Sequence, residues 1–269
     1  MLPAVTIRTR FISNAQIEPS ERLGARILQV FFSYPGGVMM RQVLALSTIL
    51  LMSGAAAAAD LSSSESKRLT QATAVVREFK AAPDKGIPEN LWSKAECVTV
   101  IPSMKKAAFI VGGEYGKGVM SCRTGQTWSA PIFVELEKGS AGFQIGAEEV
   151  DLVLLMMNRS GVDKLLSDKV NLGADASIAA GPVGRTASAA TDAQLSAGIL
   201  AYSRAQGAFA GINLSGGVLR PEKSANENAY GKSVDARDVL FKGSVPVPAA
   251  AQTFVRTLAE ESRATTGRK

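Results

Sequence analysis

Three basic residues stand where a stiff backbone could present them to an anion. Lys117 lies in Gly112-Gly113-Glu114-Tyr115-Gly116-Lys117-Gly118, Arg185 closes Ala180-Gly181-Pro182-Val183-Gly184-Arg185, and Arg204 ends Ala201-Tyr202-Ser203-Arg204. Arg185 and Arg204 each follow a run of small apolar residues that should hold the backbone rigidly. An arginine offers a planar bidentate fork and a lysine a compact point charge, so both suit phosphate or carboxylate groups. Lys105 and Lys106 add basic charge near a further turn. A solvated surface charge is the plainer alternative for each one taken alone.

Other chemistries are excluded more sharply. The chain contains no histidine, which removes Ser-His-Asp and Cys-His catalysis along with the commonest metal ligand. Two cysteines cannot build a four-thiolate zinc site. No Asp/Glu spacing resembles a calcium loop, and Glu148, Glu149 and Asp151 read as a solvated strand end. The Gly-rich stretch before Gly118 has the look of a phosphate-cradling loop, but no Gly-Lys-Ser/Thr follows and no helix is signalled next. The expectation is a non-enzymatic protein with no catalytic residues, no metal and no cofactor. Cys97 and Cys122 leave two readings open. They form a bridge closing a loop of about 25 residues if their strands are neighbours, adding roughly 3 kcal/mol in the chain-entropy model, or they are two buried thiols.

The elements that must position these residues follow from periodicity. Leu61 to Ala81 predicts a helix, with Ser62, Ser63 and Ser64 as N-caps and Leu69, Ala72, Val76 and Phe79 recurring at three- and four-residue spacing. That helix either docks on the core or lies amphipathically on a membrane. A short helix is expected around Glu89 to Lys94. Strands are expected at Val98–Ile101, Ala107–Gly113, Gly118–Arg123 and Pro131–Glu137, with turns at Gly112 to Gly118 and Arg123 to Thr127. Trp128 reads as a core anchor with its N–H bonded to backbone. Ser140 to Gly146 is a further strand, and Asp151 to Met157 is an apolar run that periodicity leaves as strand or helix. Gly161 to Asp168 reads as helix, Ala174 to Ala180 as strand, and Ile199 to Ser203 with Gly207 to Leu219 as a late strand pair. Arg220 to Lys232 looks like a closing turn, Val245 to Pro248 a stiff linker, and Ala249 to Glu261 a short helix before a tail. The fold class is α+β: a curved, mainly antiparallel sheet or barrel-like unit with flanking helices.

Taken together and in order, the glycine-broken strings resemble the SYLF domain family. They are Ala107 to Gly118, Trp128-Ser129-Ala130-Pro131, Gly142 to Gly146, Ala180 to Arg185, Ala201 to Arg204 and Gly207 to Gly211. The resemblance covers roughly Leu61 to Gly231. It implies lipid and phosphoinositide binding, and in fungi and animals a link to actin and endocytic machinery.

Composition bounds the setting. The chain is 46% hydrophobic and 20% charged over 269 residues, enough for one sizeable core. Met40-Arg41-Gln42, the apolar run Val43 to Met52 and the Ala55–Ala59 stretch together have the layout of a secretory signal peptide, with cleavage expected between Ala59 and Asp60. The expected division is therefore 1–59 leader and signal, 60–232 SYLF-like domain, and 233–269 linker, helix and tail. Without the leader the net charge falls from +6 to +3, too little to argue for nucleic acid. The resulting expectation is a bacterial exported SYLF-type module, periplasmic or secreted and membrane-associated. It would bind anionic lipid headgroups or a membrane surface through Lys117, Arg185 and Arg204. The alternative is a structural or protein-interaction scaffold of the envelope, actin-binding-like by family analogy.

Overall fold

The first described helix begins on a reciprocal cap. In the computed structural model the Glu65 N–H donates to Ser62 Oγ at 3.3 Å, and the Ser62 N–H donates to the Glu65 carboxylate at 2.7 Å. Two of the helix's orphan donors are thereby satisfied, and α1 runs Ser63–Lys80. The structure describes residues 61–82, 86–108, 111–141, 146–184 and 196–263. Residues 1–59 with the proposed cleavage point, Arg185, and the Gly142 to Ile145 string lie outside the described residues.

A short α2 (Glu89–Lys94) follows, then β1 (Cys97–Ala108), β2 (Val111–Thr124), β3 (Thr127–Trp128), β4 (Ile132–Ala141) and β5 (Gly146–Met156). Next come α3 (Ser160–Ser167), β6 (Val170–Asn171), β7 (Ile178–Ala180), β8 (Ile199–Ala205), β9 (Ala208–Gly211), β10 (Val218–Pro221) and α4 (Lys223–Tyr230). A π-helical turn (Asp238–Lys242), a 3-10 turn (Ala249–Ala251) and α5 (Gln252–Glu261) complete the described chain. The strands form one sheet in the order β6-β10-β4-β2-β1-β5-β8-β7, with β9 beside β8 and β3 beside β2. All pairings are antiparallel except β7 with β8. The fold is a curved, mainly antiparallel half-barrel sheet flanked by helices.

Alternation along the strands splits the apolar residues between two faces. Val98, Val100, Val119, Phe133, Val153 and Leu155 pack with Leu69, Val76 and Phe79 of α1, and with Phe254 and Leu258 of α5. Ile101, Met120, Ile132, Leu152 and Leu154 face the other way, toward Val162 and Leu165 of α3 and Val239 and Leu240 of the π-helical turn. Full burial of each such side chain contributes about 1.5–3 kcal/mol, so α1 is held to the sheet by its Leu69, Val76 and Phe79 stripe. The unbroken apolar run Asp151 to Met157 is explained by β5 being buried on both faces. The C-terminal helix, expected outside the resembled region, belongs to the same core as α1.

Two local expectations are corrected. Gly112 to Gly118 does not turn the chain; it lies inside β2, paired along its length with β4. Gly116 and Gly118 are required by the neighbouring strand, because β1 bulges between Val100 and Lys105 and lies against β2 there. A Cβ on Gly116 would stand 2.5 Å from Ile101 Cγ2, and one on Gly118 would stand 2.3 Å from the Val100 carbonyl oxygen. Arg220 to Lys232 is not a closing turn either, since it ends β10 and forms α4. Only the small Ala225 and Ala229 are buried on α4, so its sequence carries no strong apolar period.

Cys97 and Cys122 occupy opposite register positions on β1 and β2 and are disulfide-bonded, both within the apolar core. Trp128 is buried, with its indole N–H donating to Ser262 Oγ at 3.0 Å rather than to backbone, and Arg123 stacked 4.7 Å from its ring centroid.

Candidate functional site

Where β2, β10 and α4 meet α1, a chain of charged side chains replaces the apolar packing. Lys117 projects from β2 on the same side as Val119 and Tyr115, facing α1. Its ammonium donates to Glu222, the residue that opens α4. Glu222 also accepts from Arg68 Nη1 of α1 at 2.5 Å, and both of these partners are buried. The Arg68 guanidinium lies over the Phe133 ring at 5.3 Å, which fixes its plane. Burying charges is tolerated only when they are paired and hydrogen-bonded, and the shared carboxylate meets that condition.

A second cluster adjoins the first. Arg220 donates to Glu135 at 2.6 Å and forms a bidentate pair with Glu137 at 2.7 and 3.1 Å. The Tyr115 hydroxyl donates to the other Glu135 oxygen at 3.1 Å. Burial and that bond to Glu135 push the Tyr115 phenol above its ordinary value. The bond to Glu222 raises the Lys117 ammonium. Burial works to raise Glu135, but hydrogen bonds from Arg220 and Tyr115 overcome it and hold the carboxyl below the usual range.

Two clefts open on either side of Lys117. One, of about 490 Å³, is lined by Lys117, Glu135, Asp168, Arg220, Glu222 and Lys223 and is balanced in charge. The other, of about 220 Å³, lies between α1 and the β1 bulge. Arg68, Lys105 and Lys117 line it together with Ser64, Gln71 and Ser103, and among the described residues no carboxylate does.

The sequence-predicted residues are not brought to one place. Lys117 lies at these clefts. Arg204 projects from β8, three strands away in the sheet order, and is clamped. It donates to Asp151 from Nη2 at 2.6 Å and from Nε at 3.2 Å, and it pairs with Glu78 of α1 at 2.5 Å. Asp151, expected as part of a solvated strand end, is thus tied to Arg204 and also accepts the Ser103 N–H at 2.9 Å. Sequence reasoning missed Arg68 and Glu222, which stand 154 residues apart and signal nothing to each other along the chain. Among the described residues no group of three or more His, Cys, Asp or Glu could hold a metal ion. No helix there is long and apolar enough to cross a membrane.

Comparison with known proteins adds the family context. Residues 137–261 match the Ysc84 family model, described as a Las17-binding protein actin regulator. SH3 domain-containing YSC84-like protein 1 of Rattus norvegicus is 34% identical over 202 residues, covering 72% of this chain and 58% of that protein. Protein YSC84 of Saccharomyces cerevisiae is 34% identical over 185 residues, 67% of this chain and 39% of that protein. LAS seventeen-binding protein 3 of the same yeast is 34% identical over 186 residues. The chain therefore spans between about two-fifths and three-fifths of the length of these relatives.

These matches overturn the expected setting. The likeness is to eukaryotic proteins, one of them named as SH3 domain-containing, and to a family described as an actin regulator, not to a bacterial exported lipid-binding protein. The periplasmic, secreted and membrane-associated assignments fall with it; the leader expected over residues 1–59 lies outside the described residues. The periplasmic and secreted assignments rest on the leader-like residues 40–59 alone. The matched family is described by regulation of actin rather than by a reaction.

Proposed function

We propose, starting from the likeness of residues 137–261 to the Ysc84 actin-regulator family, that this chain works by binding a protein partner of the actin-regulating machinery. The observation that carries the reading is the 34% identity over 202 residues, 72% of this chain, to a YSC84-like protein. Actin filaments are the first partner to try. Co-sedimentation of the full chain with filamentous actin tests the reading. Saturable appearance of the chain in the filament pellet is expected, and a chain that stays in the supernatant at every filament concentration contradicts it.

A second reading, binding of anionic lipid headgroups, is favoured by one feature: the smaller cleft is lined by three cations and no carboxylate. In this reading Lys117 keeps the role expected of it, and Arg185 lies outside the described residues. Arg204 serves the structure, because Glu78 and Asp151 already satisfy it. Flotation with anionic against zwitterionic vesicles tests it, and equal recovery with both contradicts it.

A further inference from the structure

We propose that the cleft between α1 and the β1 bulge is a binding site for a phosphate monoester, held by Arg68, Lys105 and Lys117. The inference deepens the headgroup reading and rests on it for the choice of an anionic ligand; the site and the ligand class come from the cleft itself.

The charge balance is the first argument. Arg68, Lys105 and Lys117 line the cleft, and the one carboxylate bonded to any of them is Glu222, which sits behind Arg68 and Lys117 outside the lining. Lys105 has no carboxylate partner among the described residues. Counted over the lining and the carboxylate bonded to it, with Glu149 opposite Lys105 on β5 outside the lining, the cleft carries a surplus of about two positive charges, which matches a phosphate monoester of about −1.5 to −2 near neutral pH and exceeds a diester.

The second argument is preorganisation. Arg68 is oriented from two sides, by Glu222 and by the Phe133 ring. Glu222 takes only the Nη1 donor of its guanidinium, so the other donors have no hydrogen-bond partner among the described residues. A fixed guanidinium loses little freedom on binding and presents a bidentate edge to phosphate oxygens. The Ser64 and Ser103 hydroxyls and the Gln71 amide stand at the same cleft and supply neutral donors.

The third argument is the backbone at the rim. Ser103 has φ of +50°, a left-handed conformation that costs energy for any residue but glycine. It sits in the bulge where β1 slips register against both β2 and β5. Bulges of this kind re-aim side chains, and here Pro102, Ser103 and Lys105 are carried to the rim opposite α1. Gly116 leaves room for the bulge and lines the cleft floor. At about 220 Å³ the cleft holds a phosphate with a small attached fragment and is too small for a folded peptide segment.

The test is a chemical-shift titration of the full chain with inorganic phosphate. Saturable shifts at Arg68, Lys105, Gly116 and Lys117 are expected. Lys105→Glu should weaken binding by about ten-fold or more, because it removes one charge-assisted contact and adds a repulsive one. Lys94→Glu, the same charge change on α2 at the opposite end of β1 from Lys105, should leave the affinity as it was. Absence of saturable shifts at these four residues, or an equal loss in both variants, overturns the site. Flotation then separates the sources of the phosphate. Preference for phosphatidic acid over phosphatidylglycerol vesicles, lost in Lys105→Glu and competed by inorganic phosphate, identifies a lipid monoester. Phosphate shifts without flotation identify a soluble ligand and defeat the headgroup reading while the site stands. Flotation indifferent to Lys105→Glu, with no phosphate shifts, sinks the site and leaves the headgroup reading intact.

Discussion

Lys117 and Arg204 are both basic residues beside small residues in the sequence, one within a glycine-rich string and the other after a small-residue apolar run, yet their surroundings are opposite. Arg204 faces two carboxylates, Asp151 and Glu78, and is fully engaged by them. Lys117 shares the single carboxylate of Glu222 with Arg68, beside a third cation, Lys105. One region spends its charge holding α1 to the sheet, and the other keeps a surplus beside an open cleft. A basic residue is free to bind a ligand only where the local charge count leaves it so.

The largest effect expected from this contrast is at Glu222. Glu222→Ala strips the shared carboxylate and leaves the buried Arg68 without its partner, which should cost about 3–5 kcal/mol of stability. Asp151→Asn leaves Arg204 still paired with Glu78, so about 1 kcal/mol is expected there. Urea denaturation of both variants checks the ranking, and equal losses would break the contrast. The Cys97→Ser, Cys122→Ser double variant should lose about 2–4 kcal/mol in the same assay. Alkylation of the unreduced chain without any gain in free thiol after reduction would show that the bond does not form in solution.

Gly118→Ala sharpens the account of the bulge. Its new methyl meets the Val100 carbonyl oxygen, part of the backbone, whereas the methyl of Gly116→Ala first meets the Ile101 side chain. Both should destabilise by about 1–3 kcal/mol, with Gly118→Ala the worse. The smallest effect expected is a pH dependence through Glu135. Its folded-state value lies below the ordinary one, so its contribution is fully present above the unfolded value of about 4.3 and is lost as pH falls through the lower folded value. Denaturation midpoints between about pH 6 and about pH 3 should therefore fall more steeply in the wild type than in Glu135→Gln.

The sequence carried the local half of this picture. The Ser62 and Glu65 cap and the Leu69, Ala72, Val76 and Phe79 stripe are readable because cap and stripe both lie within one helix. The absence of histidine fixed the exclusions. What stayed hidden depends on partners far away in the chain. The glycines of β2 read locally as a turn, whereas their reason is a bulge in another strand. Residues 223–230 read as a loop because α4 buries only alanines. Lys117 stands at a cleft, and its neighbours Arg68 and Glu222 come from opposite ends of the domain. Arg204 stands out because it follows a small-residue run, and nothing local shows Asp151 and Glu78 closing around it.

The measurement that bears most directly on the contrast is a phosphate titration of Lys117→Ala beside Arg204→Ala. Each variant removes one positive charge, so nonspecific attraction changes equally in both. A loss of about three- to ten-fold in Lys117→Ala, with wild-type affinity in Arg204→Ala, is the result expected if the surplus at the cleft does the binding. Equal losses in the two variants, or a larger loss in Arg204→Ala, would contradict it.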